Sequence, residues 1–242
     1  MDKKLFQNIT NDKFENFLYL STHQDRFIYI INTVNHYFKE NKNLNILDFG
    51  SHTGVLSVLF QYYGFNVHSI DLDTVIEDNK DIYIQNDLKV DRLNENWETL
   101  PYEDNYFDSV IFTEVLEHLY ESPIHILQEL HRVLKANGVL ILTTPNVMKL
   151  ENKLSFFLNI NIYQDIERFC YNPRYSIYFR EYDQKDLKIL LTKFIKFRKL
   201  EFHYFDYVGG RTILKRNIQR VLYMITKVFF MLRGSILVIA KK

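Results

Sequence analysis

The sequence is poor in the features that would assign it to several classes of protein. It has a single cysteine, Cys170, which excludes an intrachain disulfide framework and fits a reducing cytoplasm. Thirty basic side chains balance thirty acidic ones, and this neutrality argues against DNA and also against RNA as a partner. Glycine and proline are scarce while Asn, Lys, Ile and Tyr are abundant, a bias from which we infer no function.

Long apolar runs are also missing. The segment MDKKLFQNITNDKF lacks the apolar core of a signal peptide, so we expect a cytoplasmic protein. The most apolar stretch, Val221–Leu232, contains Lys227 and is shorter than the roughly twenty residues that a spanning helix needs. Basic side chains accompany an apolar face over residues 213–233, which predicts docking on the fold or, alternatively, peripheral contact with a membrane.

Strand-like and helix-like segments alternate along the chain. Apolar residues recur at three- and four-residue spacing between residues 10 and 40, which predicts a helix. Strands are predicted at Asn45–Gly50, Asn66–Asp71, within Asp81–Leu88, at Asp108–Thr113, in NGVLILTT after the turn at Gly138, and in two later segments. This alternation favours an α/β fold with a doubly wound, mostly parallel sheet and helices on both faces.

A tight turn follows the first predicted strand. Asp48 ends the strand, Gly50 and Gly54 lie in the turn, and a helix begins at once. Glycine lets a ligand approach the backbone, and a helix N-terminus offers free N–H groups. A dinucleotide fingerprint would need glycine where His52 and Val55 stand, so the turn is not typical of that class.

Two further acids follow predicted strands. A carboxylate at Asp71, after the second strand, can accept both hydroxyl hydrogens of a ribose. The alternative is that Asp71 caps the next helix, although Asp73 is better placed to do so. Asp87, with Leu88 beside it, follows the third predicted strand and is either a ligand contact or an ordinary turn residue.

The segment Leu100–Asn146 resembles the corresponding region of class I S-adenosylmethionine-dependent methyltransferases. It has an acidic turn, then Glu-Val-Leu-Glu-His, then a helix, turn and strand that end in Thr-Thr-Pro-Asn. The resemblance is collinear over about residues 44–146. It implies a Rossmann-like, seven-stranded sheet with the last strand antiparallel beside the sixth. One domain over 1–242 would comprise a helical cap (1–43), a cofactor-binding core (44–145), a substrate-side insertion (146–182) and C-terminal helices and strands (183–242).

The same resemblance implies S-adenosylmethionine as the cofactor. In these enzymes the acid that corresponds to Asp87 meets the adenine amino group. The implied cofactor contacts are Asp48, Gly50, Ser51, His52, Gly54, Asp71, Leu72, Asp87, Leu88, Thr113 and Glu114. His52 departs from the family's glycine turn, and this departure keeps open a non-catalytic, cofactor-binding module.

Glu114, Glu117 and His118 would share one face if they were helical. Three interpretations stay open: His118 as a general base toward the acceptor, a divalent metal held by the three side chains, or a purely structural cluster. Small-RNA 2′-O-methyltransferases carry a similar cluster with a later histidine, and Tyr178 stands at that place here. We predict His118 as catalytic and no metal site.

Aromatic residues are dense between Phe156 and Tyr182 and alternate with arginines. Such side chains suit sugar rings and anionic groups, although most could simply close the segment onto the sheet. The segment resembles methyltransferases of bacterial glycan biosynthesis, which implies a sugar hydroxyl as acceptor and Tyr178, Arg180 and Tyr182 as substrate contacts. The alternative acceptors are a small molecule of quinone or secondary metabolism and, for a metal-dependent enzyme, the 2′-hydroxyl of an RNA ribose. The oligomeric state is not predicted.

Overall fold

A computed structural model describes most of the chain. The described residues are 1–11, 13–14, 17–38, 43–94, 97–163, 165–171, 177–206 and 225–242, with residues 17, 18 and 168 described by their backbone alone. The predicted contact segment 213–233 is therefore covered only from residue 225 onward. Among the described residues, none of the helices combines the length and apolar character required to cross a bilayer.

Seven strands form one sheet in the order β3-β2-β1-β4-β5-β7-β6. The strands are β1 Asn45–Phe49, β2 Asn66–Leu72, β3 Lys89–Leu93, β4 Phe107–Thr113, β5 Leu134–Pro145, β6 Lys199–Phe205 and β7 Ser235–Lys241. β1, β2 and β3 pair in parallel, whereas β6 and β7 pair antiparallel. The predicted Rossmann-like fold class, with the last strand antiparallel beside the sixth, is confirmed.

Helices connect the strands. They are α1 Lys3–Thr10, α2 Phe17–Phe38, α3 Val55–Tyr62, α4 Asp73–Asp78, α5 Lys80–Gln85, α6 Ile124–Val133, α7 Leu150–Phe157, α8 Ile166–Tyr171 and α9 Gln184–Lys188. A π-helical turn, Ile189–Phe194, continues α9, and 3₁₀ turns cover Leu116–His118 and Phe230–Leu232.

The chain divides into two compact units. The first contains Met1–Ile111 and Arg132–Val139, and the second contains Phe112–His131, Leu140–Asp206 and the described residues 225–242. The core of the first includes the fully buried Ile46, Leu47, Leu59 and Ile70. Burial of each such side chain contributes about 1.5–3 kcal/mol. The predicted four-part division of a single domain stays a prediction.

The core of the second unit is built around β7. Ile236, Leu237 and Val238 are fully buried, as are Leu187 of α9 and Leu191 of the π-helical turn. Residues buried on both faces of a strand give a continuous apolar run, which is why SILVIA could be recognised as a strand.

Asn146 joins distant segments of the second unit. Its side-chain amide donates to the carbonyls of Met231 and Arg233, at 3.0 and 2.8 Å, and its backbone amide donates to Gly234. The residue also forms an isolated parallel bridge with Tyr182. Since Asn146 is only 1% exposed, these bonds replace those that water would supply.

The prediction of a strand within Asp81–Leu88 is wrong. Lys80–Gln85 is a helix, and β3 begins only at Lys89. The alternating Ile82-Tyr83-Ile84 suggested a half-buried strand, but Tyr83 alone is buried and Ile84 is 75% exposed. The true strand, KVDRL, lies at the sheet edge and carries few apolar side chains, which hides its pattern.

Three smaller features also differ from what the sequence suggested. Glu114 to His118 is not one helix, because Glu114 has a left-handed backbone (φ +55°) and only a 3₁₀ turn follows. Gly138 is not the left-handed residue of the turn after α6, since the positive φ (+66°) falls on Asn137. Asp73 does not cap α4 either, because it is the first helical residue and the N-cap position belongs to Leu72.

Candidate active site

The turn between β1 and α3 folds back onto β2. The amides of Gly50 and Ser51 both donate to the carbonyl of Ile70, at 2.9 and 3.3 Å. Gly50, His52 and Gly54 all have left-handed φ angles of +76°, +48° and +71°. Because a left-handed backbone is inexpensive only for glycine, these angles explain why Gly50 and Gly54 are glycines and mark His52 as strained.

Asp71 lies directly beside this turn. Its Oδ2 accepts the amide of His52 at 2.7 Å, and its Oδ1 accepts the amide of Leu72 at 2.7 Å. Burial raises the pKa of the carboxyl, while these two amide bonds act to lower it. Each carboxylate oxygen has two lone pairs, so one on each oxygen remains for a hydroxyl donor.

Asp48 points into the protein rather than toward the turn surface. Its side chain is 1% exposed, and its Oδ2 accepts the hydroxyl of Ser57 at 2.6 Å. The Ser57 hydroxyl is in turn 2.8 Å from that of Ser69. Burial raises the pKa of Asp48 to about 7, against the opposing effect of the Ser57 hydrogen bond. The three side chains tie β1, α3 and β2 together beneath the turn.

Tyr83 supports the turn from α5. Its hydroxyl donates to the carbonyl of His52 at 2.7 Å, so the 2.8 Å contact with Ser51 has the serine as donor. Sequence analysis missed Tyr83 because its segment was assigned to a strand. An isolated buried tyrosine four residues before an Asp-Leu pair gives no other signal.

Asp87 and Leu88 face the turn through different atoms. Asp87 is exposed with a left-handed backbone (φ +49°), and its carbonyl accepts the side-chain amide of Gln61 at 3.2 Å. Leu88 is buried, and a Cβ added at Gly54 would lie 2.8 Å from its Cδ1. A side chain at position 54 would therefore require the end of the Leu88 side chain to shift, in addition to adopting a left-handed backbone.

In the second unit, two threonines of β5 donate hydrogen bonds to the side chains of two glutamates. Glu114, which follows Thr113 at the end of β4, accepts the hydroxyl of Thr143 at 2.9 Å and donates its amide to the carbonyl of that residue. Glu117 is fully buried and accepts the hydroxyl of Thr144 at 3.1 Å. Among the described residues, no group of three His, Cys, Asp or Glu side chains is arranged to hold a metal ion.

His118 has a fixed orientation. Its Nδ1 lies 2.9 Å from the carbonyl of Ile177, which can only accept, so Nδ1 carries the proton in the neutral ring and Nε2 has the lone pair. The Tyr178 ring packs edge-on at 5.0 Å, and the Glu117 carboxylate lies 4.0 Å from Nε2. Burial lowers the pKa of His118 below its usual value, which favours the neutral ring.

The loop that carries Tyr178 is attached to the same turn. The amides of Phe179 and Arg180 approach the carbonyl of Glu117 at 2.8 and 3.4 Å. Arg180 pairs with Asp186 at 2.8 Å and lies over the ring of Tyr182. Tyr178 is partly exposed beside His118, whereas Tyr182 is buried. Of the three predicted substrate contacts, Tyr178 is thus the one placed beside the predicted base.

A family model described as "Methyltransferase domain" matches residues 47–142. Residues 47–142 are therefore similar to the methyltransferase domains of this family, and the similarity covers less than half of the chain. Two solved methyltransferases share the fold: one from Archaeoglobus fulgidus (18% identity, TM-score 0.60, 93% of this chain and 100% of that one) and one from Mesorhizobium loti (12%, 0.59, 87% and 96%). At these identities, the structural likeness concerns the fold.

Curated proteins named "Ubiquinone biosynthesis O-methyltransferase" are similar to part of this chain. The protein of Rickettsia bellii is 32% identical over 125 residues, 51% of each chain, and that of Rickettsia akari is 35% identical over 126 residues, 51% of this chain and 49% of the relative. The chain therefore spans about half the length of the curated relatives it matches. The comparisons indicate S-adenosylmethionine as cofactor, but they do not support the predicted glycan subgroup.

The residues of the first unit fit an adenosine-containing cofactor. Asp71 retains acceptor positions for a pair of ribose hydroxyls, and Gly54 is the N-cap of α3 with no side chain that bonds the first helical amides. The Cβ that Gly54 lacks would meet Leu88, so glycine at this position lets the turn pack closely against that residue. The individual contacts of the predicted site residues stay predictions.

Proposed function

We propose that the protein is an O-methyltransferase that moves the methyl group of S-adenosylmethionine to a hydroxyl of a small-molecule acceptor. The observation that carries the proposal is the hydrogen bond between the amide of His52 and Asp71, which holds a ribose-binding carboxylate against the glycine turn. The matched methyltransferase family supports the same activity.

The cofactor contacts divide between direct and supporting residues. Asp71 accepts the ribose hydroxyls, and the backbone from Gly50 to Gly54 lies along the rest of the cofactor. Asp87 and Leu88 take the adenine side, while Thr113 and Glu114 contribute from the end of β4. Asp48 acts indirectly, because its buried carboxyl holds Ser57 and so keeps α3 and the turn in place.

When bound, S-adenosylmethionine supplies a methyl group on a positively charged sulfur, which is a good leaving group. The acceptor hydroxyl, whose oxygen would take that methyl group, loses its proton. Nε2 of His118 accepts that proton, since Nδ1 is already protonated toward Ile177. The carboxylate of Glu117, 4.0 Å away, favours the imidazolium that results.

The name of the curated relatives supports a small aromatic hydroxyl of the kind found in quinone precursors as the acceptor. The edge of Tyr178 beside His118 provides a surface for an aromatic ring. A sugar hydroxyl, which the sequence resemblance suggested, receives no support from the comparisons. An acceptor panel should therefore contain catechols, monophenols, nucleotide sugars and an RNA oligonucleotide.

Peripheral membrane contact through residues 213–233 also stays a proposal. In the described part of this segment, Val228, Phe229 and Met231 are 50–72% exposed. The whole segment contains Lys215, Arg216, Arg220, Lys227 and Arg233 but no acidic residue, which suits an anionic lipid surface. Co-sedimentation with phosphatidylglycerol vesicles, and not with phosphatidylcholine vesicles, would support it, and no sedimentation with either would exclude it.

The activity is tested in two steps. Isothermal titration with S-adenosylhomocysteine tests cofactor binding, and transfer of a labelled methyl group tests each acceptor in the panel. Binding with transfer to a phenolic hydroxyl supports the proposal. Binding without transfer to any acceptor would favour the non-catalytic module, and no binding to the folded protein would overturn the proposed function altogether.

A further inference from the structure

The side chain of His52 stands where the glycine turn would otherwise present bare backbone. Its backbone is left-handed (φ +48°), a conformation that costs a residue with a Cβ about 1 kcal/mol or more. Its amide is fixed on Asp71, so the Cβ of His52 emerges next to the carboxylate that we assign to the ribose.

The imidazole is exposed but does not project freely into solvent. Its ring lies 5.8 Å from that of Tyr19 on α2, and Tyr19 in turn lies 4.7 Å from the ring of His23. Arg26, one turn further along α2, lies over Phe27 and adds positive charge to the same helix face. We call Tyr19, His23 and His52 the imidazole cluster.

The chemistry of the imidazole cluster favours an anion. Imidazole N–H groups donate hydrogen bonds, and the guanidinium of Arg26 carries a positive charge. Burial lowers the pKa of His23 to about 4, so its ring is a neutral donor, and the adenosine part of the cofactor carries no charge. The anionic group of S-adenosylmethionine is the carboxylate of its methionine part, which is attached through sulfur to the ribose. With the ribose on Asp71, the turn and the imidazole cluster are the adjoining surface of this unit.

We propose that His52, braced by Tyr19, binds the carboxylate of the methionine part of the cofactor. The inference rests on the proposed function and names one contact within it. A turn with glycine at this position could contact the carboxylate only through its backbone. In this chain the imidazole of His52 donates a hydrogen bond to the carboxylate instead. This role accounts for the retention of a strained, non-glycine residue at the centre of the turn.

The test compares two ligands that differ in the methionine part. S-adenosylhomocysteine carries the carboxylate, whereas 5′-methylthioadenosine has the same adenosine and sulfur without it. The variants are His52→Asn, since asparagine tolerates a left-handed backbone, and His52→Gly, which removes the strain. His36→Asn, at an exposed position in the last turn of α2, is the matched control.

We expect both His52 variants to weaken binding of S-adenosylhomocysteine about tenfold and to leave that of 5′-methylthioadenosine within about twofold. The Tyr19→Ala variant should show a smaller loss with the same ligand dependence. Equal weakening of both ligands, or no weakening of either, would overturn the inference while the proposed function stands. If the wild-type protein binds neither ligand, the proposed function fails and the inference fails with it.

Discussion

The amide of His52 and the carboxylate of Asp71 are joined by a 2.7 Å hydrogen bond. The bond connects the turn after β1 to the end of β2, two segments that are adjacent because the strands pair in parallel with Asn45 opposite Asn66. The position of Asp71, to which we assign the ribose, and the shape of the glycine turn therefore depend on each other. A change in either residue should alter cofactor affinity as well as local structure.

The Asp71→Asn variant tests this dependence. An amide in place of the carboxylate brings an NH₂ group against one of the two backbone donors and removes an acceptor for the ribose. We expect affinity for S-adenosylhomocysteine to fall 10–100-fold by calorimetry. Asp73→Asn, an exposed acid two residues later, should leave the affinity unchanged, and an equal loss in both variants would contradict the assignment.

The Gly54→Ala variant tests the close approach of Leu88. Its Cβ would lie 2.8 Å from Leu88 Cδ1 at a φ of +71°, so the substitution adds overlap to backbone strain. We expect a loss of about 1–3 kcal/mol in the free energy of unfolding, measured in urea. The double variant with Leu88→Ala should show less than the sum of the two single losses. If the two single losses simply add, steric overlap with Leu88 contributes nothing to the loss of stability in Gly54→Ala.

The His118→Asn variant tests the proposed base. The asparagine Nδ2 can still donate to the carbonyl of Ile177, so the fold is preserved while the proton acceptor is lost. We expect kcat to fall about 10²–10⁴-fold with unchanged binding of S-adenosylhomocysteine.

The pH profile provides a second measurement on the same residue. Burial lowers the pKa of His118 below the usual histidine value near 6.5. Wild-type activity should therefore rise with pH only below pH 6.5 and be level around neutrality. The His118→Asn variant should lack that rise in activity. His125→Asn, an exposed histidine of α6, is the control, and similar rates in the His118 variant and the wild type would exclude a base at this position.

The buried carboxyl of Asp48 makes stability depend on pH. Its pKa is about 7 in the folded protein and about 3.8 when unfolded, so the folded state binds the extra proton between these values. The stabilisation is complete below pH 3.8 and is lost as pH rises through 7. We expect the wild-type free energy of unfolding to drop by about 2 kcal/mol between pH 5 and 8 relative to Asp48→Asn. Parallel curves for the two proteins would contradict this origin.

The grouping of the proposed cofactor residues could be predicted from sequence because its signals are local. Gly50, Gly54 and Asp71 each follow a buried apolar strand, and parallel pairing then brings the strand ends together. His118 was identified by residue type, but its partners were not. The Ile177 carbonyl is 59 residues away, and no sequence pattern marks a backbone acceptor.

The predictions that were wrong also have physical causes. The edge position of β3 allows a sequence with few apolar residues, so the more apolar α5 segment resembled the strand. The left-handed backbone of Glu114 is held by its double contact with Thr143, which a periodicity argument cannot anticipate. Tyr83 and Tyr19 support the turn through tertiary contacts alone.

The bonds of Asn146 have a consequence for the order in which the second unit folds. Its side chain holds carbonyls 85 and 87 residues further along the chain, so these bonds form only after a long loop has closed. Contacts between residues so far apart in sequence slow folding, because chain entropy is lost before the favourable free energy of the contact is gained. The Tyr182 and Gly234 segments should accordingly become protected against hydrogen exchange late in refolding, and Asn146→Ala should slow that step more than the folding of the first unit.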